Sequence, residues 1–311
     1  MNAAAPDTPA VAPATPAAAA ADSPWRRFAS EFAESRLALL GLAVLVLLVA
    51  IAIAAPLISP QNPYDLAQLD VLDSKLAPGE ASSTTAKPYW LGTDDQGRDM
   101  LSAIFYGLRI SLSVGVASTV IALAIGLVLG LAAAYFGGWV DAAIMRVADI
   151  QLSFPAILIA LILLAILGQG VGKITAALVT VQWAYYARTV RSSALVERQK
   201  EYVEAAQVLA LSQPRIVLRH LLPNCLPPLI VVATVQVAHA ISLEATLSFL
   251  GLGLPITEPS LGLLIANGFQ YLLSGKYWIS FYPGLALLLS ILAINLVADQ
   301  LRDVLNPRLR K

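Results

Sequence analysis

The sequence predicts an all-α polytopic membrane protein with six transmembrane helices, and both its composition and its apolar segments support this fold class. Hydrophobic residues make up 58% of the 311 residues and charged residues only 13%, with a mean hydropathy of +0.73. Soluble domains carry about 25% charged residues. The deficit of charge therefore indicates a chain that lies mostly in a lipid bilayer.

Six apolar segments follow one another along the chain, and each is predicted to form one membrane helix. They cover residues 37–58, 110–136, 150–172, 174–187, 221–243 and 281–298. The first is an uncharged run of 22 residues, close to the roughly 20 residues that a helix needs to cross the hydrocarbon. The second contains Gly115, Gly126 and Gly130, which predict close helix packing. Pro155 predicts a kink in the third, and Arg188 ends the fourth after a short run.

Composition divides the chain into five parts. They are an Ala/Pro-rich tail expected to be disordered (1–24), an N-terminal interfacial segment with the first membrane helix (25–59), an outward loop with an interfacial helix (60–109), a core of five membrane helices with a cytoplasmic loop at 188–222 (110–305), and a cytoplasmic tail (306–311). The first part lacks a charged start and a continuous apolar region, so it does not resemble a signal peptide.

The distribution of basic residues predicts the orientation in the membrane. Fourteen of the 20 Lys and Arg residues flank the predicted helices on the side that holds both termini, and six lie on the other side. Because positive charge is concentrated in cytoplasmic loops, both termini are predicted to be cytoplasmic. The loops at 59–109 and 251–280 then face outward.

Composition and motifs exclude several function classes. A formal net charge of zero gives no basic excess for nucleic acid. One cysteine, Cys225, and two histidines, His220 and His239, are too few for a disulfide framework or a convincing metal site. The chain has no G-x-x-x-x-G-K-[ST] loop, so we expect it to hydrolyse no ATP. We assign no catalytic residue, no metal and no cofactor to it.

Residues 201–224, EYVEAAQVLALSQPRIVLRHLLPN, form a polar segment between two apolar runs. The first part has helical propensity and an apolar stripe at Val203, Ala206 and Ala210. Pro214 suits the first turn of a second helix. The pattern predicts two short helices joined by a turn at the cytoplasmic face. It fits an interfacial connector with snorkelling arginines as well as a protruding docking site.

The polar segment resembles, spacing for spacing, a docking motif of ABC-importer permeases. In that family, E-A-A is followed by three residues, G, nine residues, I, one residue and L-P. The matching residues here are Glu204, Ala205, Ala206, Ala210, His220, Leu222 and Pro223, with Arg215 and Arg219 inside the nine-residue interval. Ala210 replaces the glycine and His220 replaces the isoleucine. Because glycine permits positive φ at low cost, we expect a gentler turn at Ala210, with the bend shifted to residues 212–214.

Three further blocks resemble the dipeptide/oligopeptide/nickel branch of the same family. They are YWLGTDDQGRDMLSAIFYGLRISLSVG (89–115), EATLSFLGLGL (244–254) and YPGLALLLSILAINLVADQLRDVLNPRL (282–309). In the first block, Asp94, Asp95 and Asp99 suggest a calcium site, but the glycine and the ligand ring of an EF-hand loop are missing. The alternative for this block is a capped interfacial helix that packs on the membrane helices.

The resemblance implies a type I ABC-importer permease of a bacterial inner membrane that works with partner chains. These are a second, related permease, two ATP-binding subunits that carry ATP and Mg²⁺, and an extracytoplasmic substrate-binding protein. The polar segment is implied to sit in a cleft on an ATP-binding subunit, where Glu204 contacts a basic residue and Ala205 and Ala206 permit close approach. The branch handles dipeptides, oligopeptides, nickel and related solutes, and outward loops poor in His and Met favour peptides over nickel.

Polar side chains on the fifth apolar segment are candidates for a translocation path. Thr234, Gln236, His239 and Thr246 are positions that could face it. Glu244 is a carboxyl group within a membrane helix, where charge is costly unless paired or hydrated. It is either a contact in the path or a buried carboxyl that packs the helix bundle. Glu244 and His239 are also the only candidate coupling residues for the competing class, an ion-coupled secondary transporter.

Overall fold

The computed structural model describes residues 24–305, and within this range the regular elements are helices accompanied by two isolated β-bridges. The all-α class is therefore confirmed, while the predicted tails at 1–24 and 306–311 lie outside the described residues apart from Pro24. The α-helices of this range are α1 (Pro24–Ala33), α2 (Arg36–Ile58), α3 (Met100–Phe136), α4 (Gly138–Leu152), α5 (Ala156–Leu167), α6 (Val171–Arg198), α7 (Glu201–Val208), α8 (Gln213–Ile216), α9 (Leu222–Phe249), α10 (Leu261–Phe269) and α11 (Trp278–Leu305).

Four helical runs in the described range are long and apolar enough to cross a membrane, and a bent pair brings the number to five. The four are α2, α3, α11 and the continuous run Gln213–Phe249, which contains α8 and α9. The bent pair is α4 with α5, whose axes differ by 91°. α6 has 28 residues but is too polar to qualify on composition. Length and composition thus support four to five spans rather than the six predicted.

The single membrane helix predicted at 150–172, with a kink at Pro155, is instead broken there into two helices. α4 ends at Leu152, and α5 begins at Ala156 with Pro155 in its N-cap position. Proline has no N–H to donate, and it disfavours the helical conformation in the residue before it. Pro155 therefore separates two helices at nearly a right angle instead of kinking one.

The predicted helix at 174–187 is too short, because α6 continues to Arg198. Two of its three arginines are paired with carboxylates on α4: Arg188 with Asp149, and Arg191 with Asp141. These ion pairs hold α4 along the second half of α6. The arginines that interrupt the apolar run in the sequence are thus neutralised by ion pairs between α6 and α4.

Glycines on α3 confirm the predicted close packing. A Cβ atom added at Gly126 would lie 2.4 Å from the Cβ of Tyr186 on α6, and one added at Gly115 would lie 2.6 Å from Cγ1 of Ile241 on α9. Gly130 makes a similar contact with α6 one turn later. α3 is therefore in direct backbone-level contact with both α6 and α9.

Residues 59–99 form a long loop that packs over one end of the bundle and leads into α3. The Asp99 carboxylate caps this helix, because its Oδ2 accepts hydrogen bonds from the Ser102 N–H at 2.9 Å and from the Ser102 hydroxyl at 2.6 Å. α3 then runs unbroken for 37 residues. The separate interfacial helix predicted within 60–109 is therefore wrong, and the boundary predicted at residue 110 lies inside α3.

Two of the three aspartates considered as a calcium site, Asp94 and Asp99, serve as structural anchors. Asp94 accepts from Nε of Arg98 at 2.6 Å, and both side chains are at most 1% exposed. Nη1 of Arg98 also donates to the Ile256 carbonyl at 3.1 Å. No group of three or more His, Cys, Asp or Glu residues within 24–305 is arranged to hold a metal ion. The buried pair instead ties the long loop to the connection between α9 and α10.

The two ends of the bundle hold different connections. At the long-loop end, the turn between α5 and α6 meets the connection after α9, since Gln169 Nε2 donates to the Gly251 carbonyl at 2.7 Å and the Gly170 N–H donates to the Gly253 carbonyl at 3.1 Å. The polar segment lies at the opposite end, between the last turn of α6 and the first turn of α9. We refer to this as the polar-segment end.

Candidate functional site

The polar segment begins with α7, which turns its apolar side inward. Val203 and Ala206 are buried and pack with Ile216 and Leu221 in a small core of their own. This confirms two members of the predicted apolar stripe. The third, Ala210, is exposed at the turn after the helix.

The turn at Ala210 is tight, so the predicted gentler turn is wrong. Ala210 has a φ of 51°, in the left-handed region. Its N–H donates to the Gln207 carbonyl at 2.9 Å, and the Leu211 N–H donates to the Ala206 carbonyl at 3.2 Å. This pair of bonds is the Schellman motif that commonly ends a helix, usually with glycine in the left-handed position. The alanine therefore adopts the conformation for which the family uses glycine.

The second helix of the polar segment is part of the membrane helix that follows, which corrects the prediction of two separate short helices. α8 passes through a π-helical turn (Val217–Leu221) directly into α9. Pro223 has no N–H, and proline inside a helix also clashes with the carbonyl four residues earlier. The wider π-helical turn relieves such a clash. Within that turn, the His220 carbonyl accepts a hydrogen bond from the Asn224 side chain at 2.7 Å.

Side chains from α3 and α6 brace the polar segment from behind. Arg198 Nη1 donates to the carbonyls of Ala134 at 3.1 Å and Tyr135 at 3.4 Å, which lie in the last turn of α3 and have no partner within the helix. The Tyr135 hydroxyl is hydrogen-bonded to Oε1 of Gln213 at the start of α8. A cavity of about 500 Å³ remains between these groups and the inner side of α7. The motif spacing gave no sign of these braces, although Gly137 and Gly138 mark the end of α3 in the sequence.

Tyr202 provides a second brace, which the sequence pattern also did not identify. Its hydroxyl donates to Glu197 at 2.6 Å and accepts from Nδ2 of Asn224 at 3.1 Å. Burial, together with the neighbouring Glu197 carboxylate, raises the pKa of Tyr202 to about 12, so its hydroxyl stays protonated at neutral pH. This one side chain therefore links the end of α6, α7 and the start of α9.

The outer surface of the polar segment is available for a partner. Val208, Leu209 and Leu218 are 86%, 74% and 61% exposed. Three charged side chains of this surface, those of Glu204, Arg215 and Arg219, are exposed and make no ion pair or hydrogen bond within residues 24–305. Ala205 and Pro223 are exposed too, whereas His220 and Leu222 are half-buried. An apolar patch with both signs of charge beside it is typical of a protein-binding surface.

The structure does not bring the five candidate path residues to one face of α9. Glu244 is fully buried, where it accepts hydrogen bonds from the Ser111 hydroxyl at 2.9 Å and the Ser248 hydroxyl at 2.7 Å. Gln236 is also buried, and Thr234 lines a groove between α3 and α9.

His239 and Thr246 are exposed together. They are seven residues apart and so share one face of the helix. The geometry of Glu244 matches the packing alternative, a buried carboxyl that joins α9 to α3. His239 and Thr246 are the two candidates that are exposed together on one face of α9.

Comparison with known proteins agrees with this architecture. The profile described as "binding-protein-dependent transport system inner membrane component" matches residues 126–311, and that of the "N-terminal TM domain of oligopeptide transport permease C" matches residues 23–78. Among solved structures, an inward-facing MetNI methionine ABC transporter matches with a TM-score of 0.54 at 20% identity, covering 67% of this chain and 98% of that chain. At this identity the likeness supports the fold alone.

Curated relatives are similar over most of their length. The di/tripeptide transport system permease protein DppC of Pseudomonas aeruginosa is 37% identical over 299 residues, 96% of this chain and 97% of the relative. The dipeptide transport system permease protein DppC of Alkalihalophilus pseudofirmus is 36% identical over 288 residues, 93% and 91% of the two chains. The glutathione transport system permease protein GsiD of Pectobacterium atrosepticum is 34% identical over 288 residues, 93% and 92%.

The fold and the exposed polar segment thus define a helical membrane permease. More specifically, the chain belongs to the family of inner membrane components of binding-protein-dependent transport systems. This confirms the resemblance that was stated from the E-A-A spacing and the three sequence blocks.

Proposed function

We propose that this chain is the transmembrane permease subunit of an ATP-driven, binding-protein-dependent importer for di- or oligopeptides, and that its polar segment couples it to a separate ATP-binding subunit. One observation carries the coupling role: α7, which presents Glu204 at the surface, packs through Val203 and Ala206 against Ile216 of α8, and α8 continues without a break into α9. The names of the curated relatives support a peptide substrate. Nickel or another small solute is the alternative.

The proposed topology has six crossings with both termini in the cytoplasm. Five are α2, α3, the bent α4–α5 pair, α9 and α11, and the sixth is α6, whose 28 residues span about 42 Å at 1.5 Å per residue. Two observations support α6 as a crossing. It packs on α3 through the glycine contacts, and it runs from the long-loop end to the polar-segment end. The excess of Lys and Arg at the polar-segment end favours the cytoplasm for that end.

The proposed mechanism is alternating access. ATP and Mg²⁺ bind on two partner subunits, and closure of that pair displaces the polar segment. Since α8, the π-helical turn and α9 are continuous, displacement is passed directly to a membrane helix rather than absorbed in a flexible linker. The permease then changes between outward-open and inward-open states as a rigid-body movement. This chain supplies no catalytic group to ATP hydrolysis.

The proposed translocation path lies along the exposed face of α9 that carries His239 and Thr246, opposite a second, related permease. A substrate-binding protein delivers solute at the long-loop end. For an ion-coupled secondary transporter, the two candidate coupling residues are Glu244 and His239. Glu244 is fully buried among serine hydroxyls, which leaves the exposed His239 as the one candidate within reach of water. The exposed polar segment also has no evident use in such a transporter.

The test is co-purification of the full-length chain from membranes of its native host. Glu204→Arg should strongly reduce recovery of an ATP-binding subunit, because the reversed charge faces the basic residue expected on the partner. Glu34→Arg is the matched control, an exposed carboxylate beside α2 and outside the polar segment. Equal recovery with both variants would contradict docking through Glu204, and recovery of no ATP-binding subunit with correctly inserted wild type would favour secondary transport. Uptake of a labelled dipeptide, compared with labelled nickel, separates the two substrate classes.

A further inference from the structure

A groove of about 760 Å³ runs along α3, with α2 and α9 as its walls. The floor is one stripe of α3, from Arg109 at the long-loop end to Leu127 toward the polar-segment end. Eighteen residues of helix correspond to about 27 Å, compared with about 30 Å for the hydrocarbon of a bilayer. The groove therefore extends over most of the depth of a membrane.

The groove is apolar and open along its length. Val120 on the floor is 57% exposed and Ile230 on the α9 wall is 46% exposed, although both lie in the middle of membrane helices. Only a few hydroxyl groups, such as those of Ser113 and Thr234, and one charged residue interrupt the lining. Exposed apolar surface of this kind is stable only against acyl chains or another apolar surface.

The charged residue, Arg109, lies at the long-loop end of the groove. Its side chain is exposed and makes no ion pair or hydrogen bond within the described residues. It lies nine residues after the start of α3 at Met100, about 14 Å along the helix axis. A cation above a long apolar channel has the shape and polarity of a phospholipid site, because the phosphate meets the cation and the acyl chain follows the channel.

We propose that this groove binds a membrane phospholipid with an anionic headgroup, with its phosphate at Arg109 and an acyl chain along the α3 stripe toward Leu127. A helix of a partner permease is the other occupant to consider. Such a helix would have to carry an acidic side chain opposite Arg109, whereas the phosphate of a lipid supplies that charge itself. Successive residues of a helix are rotated by 100°. His239 therefore points about 140° away from Thr234, which lies on the groove side of α9. A partner that shares the path at His239 therefore packs on a different face.

A peptide path is also disfavoured in this groove. A hydrated peptide backbone loses hydrogen bonds to water when it enters an apolar channel, and the few hydroxyl groups present cannot replace them. The lipid site exists whether or not the polar segment docks on an ATP-binding subunit, because it depends only on membrane insertion.

Photo-crosslinking with a lipid probe tests the site on the full-length chain. The chain is reconstituted in nanodiscs of phosphatidylethanolamine and phosphatidylglycerol that contain a phosphatidylglycerol with a photoreactive acyl chain, and adducts are mapped by mass spectrometry. Adducts are expected on the α3 stripe between residues 112 and 127. Val120→Trp fills the floor and should reduce these adducts at least fivefold. Val128→Trp, on the same helix but outside the groove, is the control and should leave them unchanged.

Headgroup recognition is tested separately. Arg109→Gln should reduce labelling by the phosphatidylglycerol probe about fivefold and should leave labelling by a phosphatidylethanolamine probe nearly unchanged. Lys173→Gln, which removes an exposed cation at the same end, should change neither. Equal labelling in all four variants would mean that bulk lipid exchanges freely over this surface, and crosslinks from the groove to another permease chain in native membranes would identify a subunit interface. Either result overturns the proposal.

Discussion

Replacing Ala210 by glycine should stabilise the polar segment. Ala210 has a φ of 51°, and the left-handed region costs a residue with a Cβ atom about 1–2 kcal/mol. Glycine removes this strain, but its greater freedom in the unfolded chain offsets about 0.4–1 kcal/mol of the gain. The expected net stabilisation of the turn is about 0.5–1 kcal/mol, from the difference of these two terms.

Amide hydrogen exchange on the purified chain measures this effect at the turn itself. The N–H groups of Ala210 and Leu211 close the Schellman motif onto Gln207 and Ala206, so their exchange requires local opening. Their exchange should slow about two- to fivefold in Ala210→Gly. Ala205→Gly is the matched control within α7, and it should accelerate exchange because glycine destabilises a helix interior by about 1 kcal/mol. Faster exchange in Ala210→Gly, or the same response in both variants, would refute the left-handed turn.

Three further predictions concern buried polar groups. Asp94→Asn leaves the buried Arg98 guanidinium without its counter-charge and should destabilise the chain by about 3–5 kcal/mol. An unchanged midpoint of thermal unfolding in detergent would show that the pair is hydrated instead. Glu244→Ala removes buried volume and leaves hydroxyl groups unpaired, and it should lower the free energy of unfolding by about 2–4 kcal/mol. Glu244→Gln should lower it by less than half as much. Equal losses of stability in the same thermal unfolding assay would contradict a packing role. Burial of Asp73 favours its neutral form, but hydrogen bonds from neighbouring serine and tyrosine groups outweigh this and hold its pKa below the ordinary value. The resulting stabilisation is present above about pH 4 and is lost as pH falls through the lower folded pKa. Below about pH 4, protection of the amides in residues 70–89, measured as exchange relative to the intrinsic rate at the same pH, should therefore fall, and Asp73→Asn should remove that pH dependence.

The ends of the membrane helices were predictable where local signals decide them. The first apolar run, predicted at 37–58, is α2 at Arg36–Ile58, with the Ser35 side chain accepting from the Ala38 N–H at 3.2 Å. α6 was predicted too short because two of its arginines are neutralised by carboxylates about 40 and 50 residues earlier in the chain. No window of adjacent residues contains that information.

The position of the exposed polar segment was predictable from the sequence, but its connection to the membrane helix was not. The sequence pattern predicted a short second helix in the polar segment, separate from the membrane helix at 221–243. The chain instead passes through a π-helical turn, and Pro227 and Pro228 lie inside α9. The positive φ at Ala210 was missed for a related reason. The closing hydrogen bonds and the apolar contacts of Leu211 impose a conformation that alanine alone does not favour.

The packing of α3 indicates which part of the molecule should move with the polar segment. α6 precedes the polar segment in the chain, and α9 follows it. Both helices pack on α3 at glycines, where an added Cβ atom would lie within 2.6 Å of a neighbouring atom. Such contacts leave little room for one helix to slide on another. At the long-loop end, the Glu244 hydrogen bond to Ser111 fixes α9 to α3 again. We therefore expect α3, α6 and α9 to respond as one unit. If the path lies where we propose, we expect any opening at the exposed face that carries His239, rather than inside this chain.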